Sequence, residues 1–296
     1  MNPHKFPRLL PHEVFFGLML VILWARLAFV AGFPGGYTLF YAVAILLNVA
    51  AIRLARSQNP MRQRLGLLYY PVFMNLVFMS LKGSIPLLHP GRMDASLHRI
   101  DSMLIGTNLS IRLQPFVHPV FTEFFSFCYI LFFPYLLFGM VMAFVGDLEL
   151  LKRFCVGLFS IYGIGFLGYS LVPAAGPYVA MADQYTVSLD GWWITHWNAA
   201  IVARGSNGVD VFPSLHCAVS SFLLFFDRRH RPWRFRIYLV PCVGLWLSTI
   251  YLRYHYLIDI VCGFALSAFA LWLCRRYSSK TPAPSQTHHE IYPGLP

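Results

Sequence analysis

Apolar runs of about membrane-crossing length recur along the chain, near residues 13–33, 37–52, 66–88, 118–145, 154–173, 213–227, 235–254 and 256–274. A helix needs about 20 such residues to cross the hydrocarbon core of a bilayer. The pattern predicts an all-α, polytopic integral membrane protein of about eight transmembrane helices, the second and sixth runs being the shortest. An even number of spans places both termini on one side. With 57% apolar and 12% charged residues, the composition excludes a soluble globular domain. The first run, Glu13 to Phe33, follows a Pro-interrupted basic start and lacks a small-x-small cleavage site, so it reads as a span and not as a secretory signal.

The formal net charge is +11. With cytoplasmic termini, the inner segments hold Lys5, Arg8, Arg53, Arg56, Arg62, Arg64, Lys152, Arg153, Arg228, Arg229, Arg231, Arg234, Arg236, Arg275, Arg276 and Lys280, which are 16 of the 23 cations. The outer segments hold Arg92, Arg99, Arg112, Arg204 and Arg253, while Arg26 and Lys82 fall inside apolar runs. This is the positive-inside asymmetry, and it accounts for the basic balance without nucleic acid. The same charges favour anionic lipid headgroups.

Two outer segments, about 89–117 and 174–212, are long, whereas the inner connections are short and basic, so function is expected on the outer face. Trp192, Trp193 and Trp197 suit an amphipathic element at the interface. The tail after Lys280 has a disordered composition. No internal repeat and no soluble domain are visible. Cys128, Cys155, Cys217, Cys242, Cys262 and Cys274 show no CxxC spacing and read as buried thiols.

Ionisable groups at the edges of apolar spans are costly and mark functional candidates. One cluster, Val211 to Cys217, opens the sixth run; a second, Ser248 to Asp259, covers the turn between the last two. If the last helix has begun by His255, that residue and Asp259 share a helix face. The carboxylate would then fix the imidazole tautomer and aim its other nitrogen, the base-plus-orienter arrangement of activated nucleophiles. The alternative is a histidine satisfied by a structural aspartate. Pro213 suits a first helical turn, and Ser214 and His216 would sit beside free amides and the positive end of a helix dipole, a natural anion site. Both can reach one ligand only if Ser214 lies at the non-helical start; the alternative is an N-cap serine beside an interfacial histidine. Two histidines and an aspartate at one membrane depth, with no metal motif such as HExxH, suggest phosphoryl chemistry through a phosphohistidine.

The pair of motifs resembles those of the type 2 phosphatidic acid phosphatase superfamily. Ser214 and His216 fit its second motif, PSxH or SGH, and Ser248, His255 and Asp259 fit its third in register. Thr249 stands where the phosphatases carry a phosphate-binding Arg. Their first motif is absent at the end of the fifth run, which reads Leu171 to Tyr178. These departures resemble the inositol phosphorylceramide synthase branch of headgroup transferases, related to sphingomyelin synthases. Gly176-Pro177, Phe212 to His216 and Ser248 to Asp259 match its patterns.

The resemblance implies a six-helix catalytic domain over 66–275, preceded by a pair of spans in 1–65 and followed by a tail at 276–296. It implies that His255 attacks phosphorus, that Asp259 orients it, that His216 exchanges protons with leaving and entering oxygens, and that Ser214 helps hold the phosphate. Ser248 and Gly176 complete the expected phosphate-binding set. Catalysis must also neutralise the phosphoryl oxygens. With no Arg at 249, Arg204 and then Arg253 are the leading cations, with Lys82 and Arg99 behind them. Arg204 and Arg253 could instead bind headgroups or pair with Asp210, and Lys82 could pair within the bundle. Asp101 and Glu123 fit acceptor contacts or structural pairing, and Tyr254 and Tyr256 read as interface aromatics.

The expectation is a lipid phosphotransferase of the outer face, in a bacterial inner membrane or its equivalent. It would need no cofactor and no metal, and would take a phospholipid or lipid-phosphate donor with a hydroxyl acceptor or water. A lipid phosphate phosphatase is the alternative, and a lipid transporter a distant one. A rhomboid-like protease is disfavoured because no GxSG element is present.

Overall fold

A computed structural model of the chain describes residues 9–33 and 35–278. Its helices are α1 (Pro11–Ala31), α2 (Gly36–Ala55), α3 (Pro60–Leu88), α4 (Asp94–Ile105), α5 (Leu109–Arg112), α6 (Pro119–Ile130), α7 (Phe132–Val145), α8 (Leu148–Leu171), α9 (Pro177–Ala180), α10 (Trp193–Gly205), α11 (Leu215–His230), α12 (Pro232–Tyr251) and α13 (Leu257–Ser278). The tail expected to be disordered, apart from the end of α13, lies outside the described residues.

The chain is an all-helical, polytopic integral membrane protein. Among the described residues, six stretches are long and apolar enough to cross a bilayer: α1, α2, α3, α6 with α7, α8 and α13. The two others in the expected set of eight are different. Helix α11 has only 16 residues, about 24 Å at 1.5 Å per residue, and α12 carries Arg234 and Arg236 near its start. Large apolar side chains such as Leu46, Leu137 and Val240 lie exposed on the bundle's outside, as lipid contact requires.

Local chemistry sets the helix ends. Prolines open α1, α3, α6 and α12, where a missing N–H costs nothing. The side chains of Asn59, Asp147 and Ser214 accept hydrogen bonds from the first free amides of α3, α8 and α11. The run at 118–145 is broken at Leu131, between α6 and α7. Pro134 explains the break, because its ring conflicts with the carbonyl four residues earlier and supplies no N–H.

Helix α8 is the most buried span and the hub of the bundle. Helices α1, α3, α11 and α13 pack on it, α2 packs on α1 and α3, and α12 bridges α11 to α6. Both motif clusters lie at the end of this bundle where α11 and α13 begin. The long segments read as loops are partly helical there, as α4, α5, α9 and α10.

Candidate active site

Helix α11 starts at Leu215, with Ser214 as its non-helical cap, so Pro213 precedes the helix and does not occupy its first turn. The Ser214 hydroxyl oxygen accepts from the Cys217 amide at 3.3 Å. The Ser214 amide donates to the Asp259 carbonyl at 3.0 Å. His216 follows in the first turn, its ring packed at 4.7 Å on Tyr129 and 4.8 Å on Phe132. These two rings flank the α6/α7 break, so Pro134 indirectly shapes the pocket for His216. The Tyr129 hydroxyl lies 3.4 Å from His216 Nδ1.

The second cluster forms the turn between α12 and α13, as its sequence suggests. The Thr249 carbonyl accepts both the Tyr254 and the His255 amides at 2.9 Å. Arg253 takes a left-handed φ of 67°. Helix α13 begins only at Leu257, so His255 precedes it, yet His255 Nδ1 still faces Asp259 Oδ2 at 3.4 Å. Neither Nδ1 nor Asp259 Oδ1 has a hydrogen-bond partner among the described residues. The pair is therefore aligned but loose, as catalytic contacts without substrate commonly are. The free amides at the start of α13 are taken by carboxylates: Tyr256 donates to Asp259 at 2.8 Å, and Leu257 and Ile258 donate to Asp101 at 2.8 and 3.0 Å.

Asp94 fastens the Pro-rich segment to this turn. It accepts from the Ala175 amide at 3.1 Å, the Gly176 amide at 2.9 Å and the Tyr256 hydroxyl at 3.1 Å. Gly176 has φ 93°, and a Cβ there would stand 2.4 Å from the Tyr254 carbonyl oxygen. Only glycine fits both conditions.

His216 and His255 open into one cavity of about 300 Å³, their rings 5.9 Å apart and edge to face. Its walls are mostly aromatic and aliphatic, and among the described residues no Lys or Arg lines it. Its one carboxylate is Asp210, whose Oδ1 accepts from the Ser206 hydroxyl at 2.9 Å and the Asn207 amide at 3.1 Å. Burial holds the His255 imidazole well below its ordinary value, at about 4, against the opposing pull of the Asp210 carboxylate and the Val211 carbonyl.

The structure brings His216, His255, Asp259, Ser214 and Gly176 together. Ser248 is elsewhere: fully buried in α12, its hydroxyl donates to the Leu245 carbonyl at 2.7 Å. The Arg253 guanidinium turns away from the histidines, donating to the Val187 carbonyl at 2.6 Å and stacking 3.9 Å over the Tyr185 ring. Arg204 is exposed in the last turn of α10, beside the cavity-lining Gly205 and Ser206. Lys82 and Arg99 are exposed. Asp101 and Glu123 make structural contacts, Glu123 accepting from the Trp192, Ile194 and Thr195 amides at the start of α10. Tyr256 is fully buried against Asp94 and not at an interface, because a buried hydroxyl needs that acceptor.

Sequence reasoning missed Asp94, Tyr129, the cavity position of Asp210, and Arg92. The Arg92 guanidinium lies over the 206–210 loop, where a Cβ at Gly208 would meet it at 3.4 Å. One signal was present: Asp94, Leu97 and Asp101 fall at i, i+3 and i+7, and all three are buried.

A family model described as the PAP2 superfamily matches residues 95–273, a stretch that contains both motif clusters. A phosphoinositol dihydroceramide synthase of Bacteroides thetaiotaomicron is 27% identical over 157 residues. The alignment covers 48% of this chain and 51% of that protein, so the chain spans about half the length of the relative it matches. No solved structure gives a significant match.

Proposed function

The chain belongs to the PAP2 superfamily, and from that premise we propose that it is a membrane phosphotransferase moving a phosphate-linked headgroup between lipids through a phosphohistidine at His255. The observation that carries this reading is the pair of histidines facing one cavity, with Asp259 behind one of them.

Asp259 beside Nδ1 leaves Nε2 of His255 as the attacking atom. Nε2 bonds to phosphorus as the phosphorus–oxygen bond to the donor's lipid alcohol breaks, and His216 protonates the departing alkoxide. His216 then takes the proton of the entering hydroxyl, whose oxygen attacks phosphorus and displaces His255. Hydrolysis shares the first step and differs only in using water for the second. The cavity's walls of phenyl and phenol rings favour a lipid alcohol over water as the acceptor. The name of the relative favours phosphoinositol as the group moved and a ceramide-type alcohol as its acceptor.

Arg204 and Arg92, beside the 205–210 loop, are the cations placed to close on the phosphate. Residues 66–275 form the catalytic unit, and the first two spans are an added pair. The end bearing the motifs faces the outer leaflet, a reading supported by the arginines gathered at the other end, on Arg153, Arg228, Arg229 and Arg275.

The test is purified protein given phosphatidylinositol and ceramide in mixed micelles. Formation of inositol phosphorylceramide with release of diacylglycerol is expected, and His255→Ala should remove it. Rapid release of inorganic phosphate from phosphatidic acid, with no transferred headgroup from any donor, would replace this reading with the phosphatase.

A further inference from the structure

At the end of the bundle away from the motifs, Arg153 of α8, Arg228, Arg229 and His230 of α11, and Arg275 of α13 surround a hollow of about 520 Å³. We propose that this hollow binds the phosphate of an anionic lipid headgroup, at a site separate from the catalytic cavity.

Four arginines line the hollow, and among the described residues no carboxylate does. Among the described residues, none of them is in an ion pair. The nearby acids are committed elsewhere. Glu149 takes Lys152 and the Tyr277 hydroxyl, and Asp227 takes Arg234 and the Tyr135 hydroxyl. Arg153 Nε is buried with no hydrogen-bond partner, and an unmet charged donor at a membrane boundary is costly. His230 Nδ1 donates to the Phe226 carbonyl at 2.9 Å, which fixes the ring at the rim of the hollow.

Orientation alone requires cations in flanking segments; it does not require four from three helices to line one hollow. Planar guanidinium groups gathered in this way match the oxygens of a phosphate. The hollow also has an apolar side, with Phe225 42% exposed. An acyl chain would cover that surface, and a free phosphate ion would not. The length of α11, about 24 Å, separates the hollow from Ser214, which puts the ligand at the opposite membrane boundary from the substrate.

The test uses the full chain carrying His255→Ala, so that no turnover consumes lipid, with phosphatidylglycerol titrated in detergent and bound lipid counted by native mass spectrometry. Removing two of the arginines as R153Q/R228Q should weaken binding about 25-fold, about fivefold for each charge. The charge-retaining R153K/R228K should recover part of the affinity and bind more tightly than R153Q/R228Q, which separates loss of the site from misfolding. Unchanged affinity in R153Q/R228Q overturns the proposal. Inorganic phosphate binding as tightly as the lipid, and displacing it, overturns the lipid as the ligand.

Discussion

The Ser214 amide donates to the Asp259 carbonyl at 3.0 Å, joining the starts of α11 and α13 main chain to main chain. The spacing between the two motif clusters is thus set by backbone contact and not by the histidines themselves. Gly263, one turn after Asp259 in α13, permits it, since a Cβ there would stand 2.6 Å from the Ser214 carbonyl oxygen. Gly263→Ala should force the helices apart at a cost of about 1–3 kcal/mol. A lowered melting temperature with a fall in turnover is expected; a variant that melts and turns over like the parent would show that the junction yields easily.

Asp94 holds two amides of the Pro-rich segment and the Tyr256 hydroxyl while lying on neither motif. Asp94→Ala leaves these buried donors unpaired, at about 1–3 kcal/mol for each group. Turnover should fall together with thermal stability, and Asp94→Asn, which keeps an acceptor oxygen, should lie between the two. Lost turnover with unchanged melting would place Asp94 in the chemistry instead.

How far the sequence reaches depends on separation along the chain. The spans and the motif residues were legible because apolar runs, Pro-Ser-x-His and the His255/Asp259 spacing are local patterns. The turn between the last two spans was legible as well, but not its form, because no propensity announces that the Thr249 carbonyl ties Tyr254 and His255 together. Asp94 and Tyr129 escaped because their partners lie 82 and 87 residues away. Arg253 misled for the opposite reason. It lies two residues from His255 in sequence, but its left-handed φ turns the side chain toward Tyr185.

That turn separates the roles of the arginines. Arg204→Ala and Arg92→Ala should each lower turnover, by about 10²-fold where the charge meets the transition state, with little change in melting. Arg253→Ala should instead lower the melting temperature, because it removes the tie to the Val187 carbonyl and the stack on Tyr185. The reverse pattern would return Arg253 to the phosphate.

The Tyr129 hydroxyl, 3.4 Å from His216 Nδ1, biases which ring nitrogen of His216 faces the cavity. Tyr129→Phe keeps the ring packing and removes only that bias. Turnover should drop about tenfold, the worth of a modest hydrogen bond, with KM for the donor lipid unchanged. A rise in KM alone would make Tyr129 a substrate contact and not a positioning residue.

Stability should depend on pH through His255, which sits in the turn between the last two helices. Burial lowers its folded-state pKa from 6.5 to about 4. Between those values the unfolded chain takes up a proton that the folded chain refuses, so stability is lost as pH falls from about 6.5 toward 4. At about 1.4 kcal/mol per pH unit the loss reaches about 3 kcal/mol. Melting temperatures in detergent should be level above neutrality and fall on acidification. His255→Gln, which cannot titrate, should flatten part of that fall. Parallel curves for parent and variant would mean that the His255 imidazole is solvated and titrates normally in the folded protein.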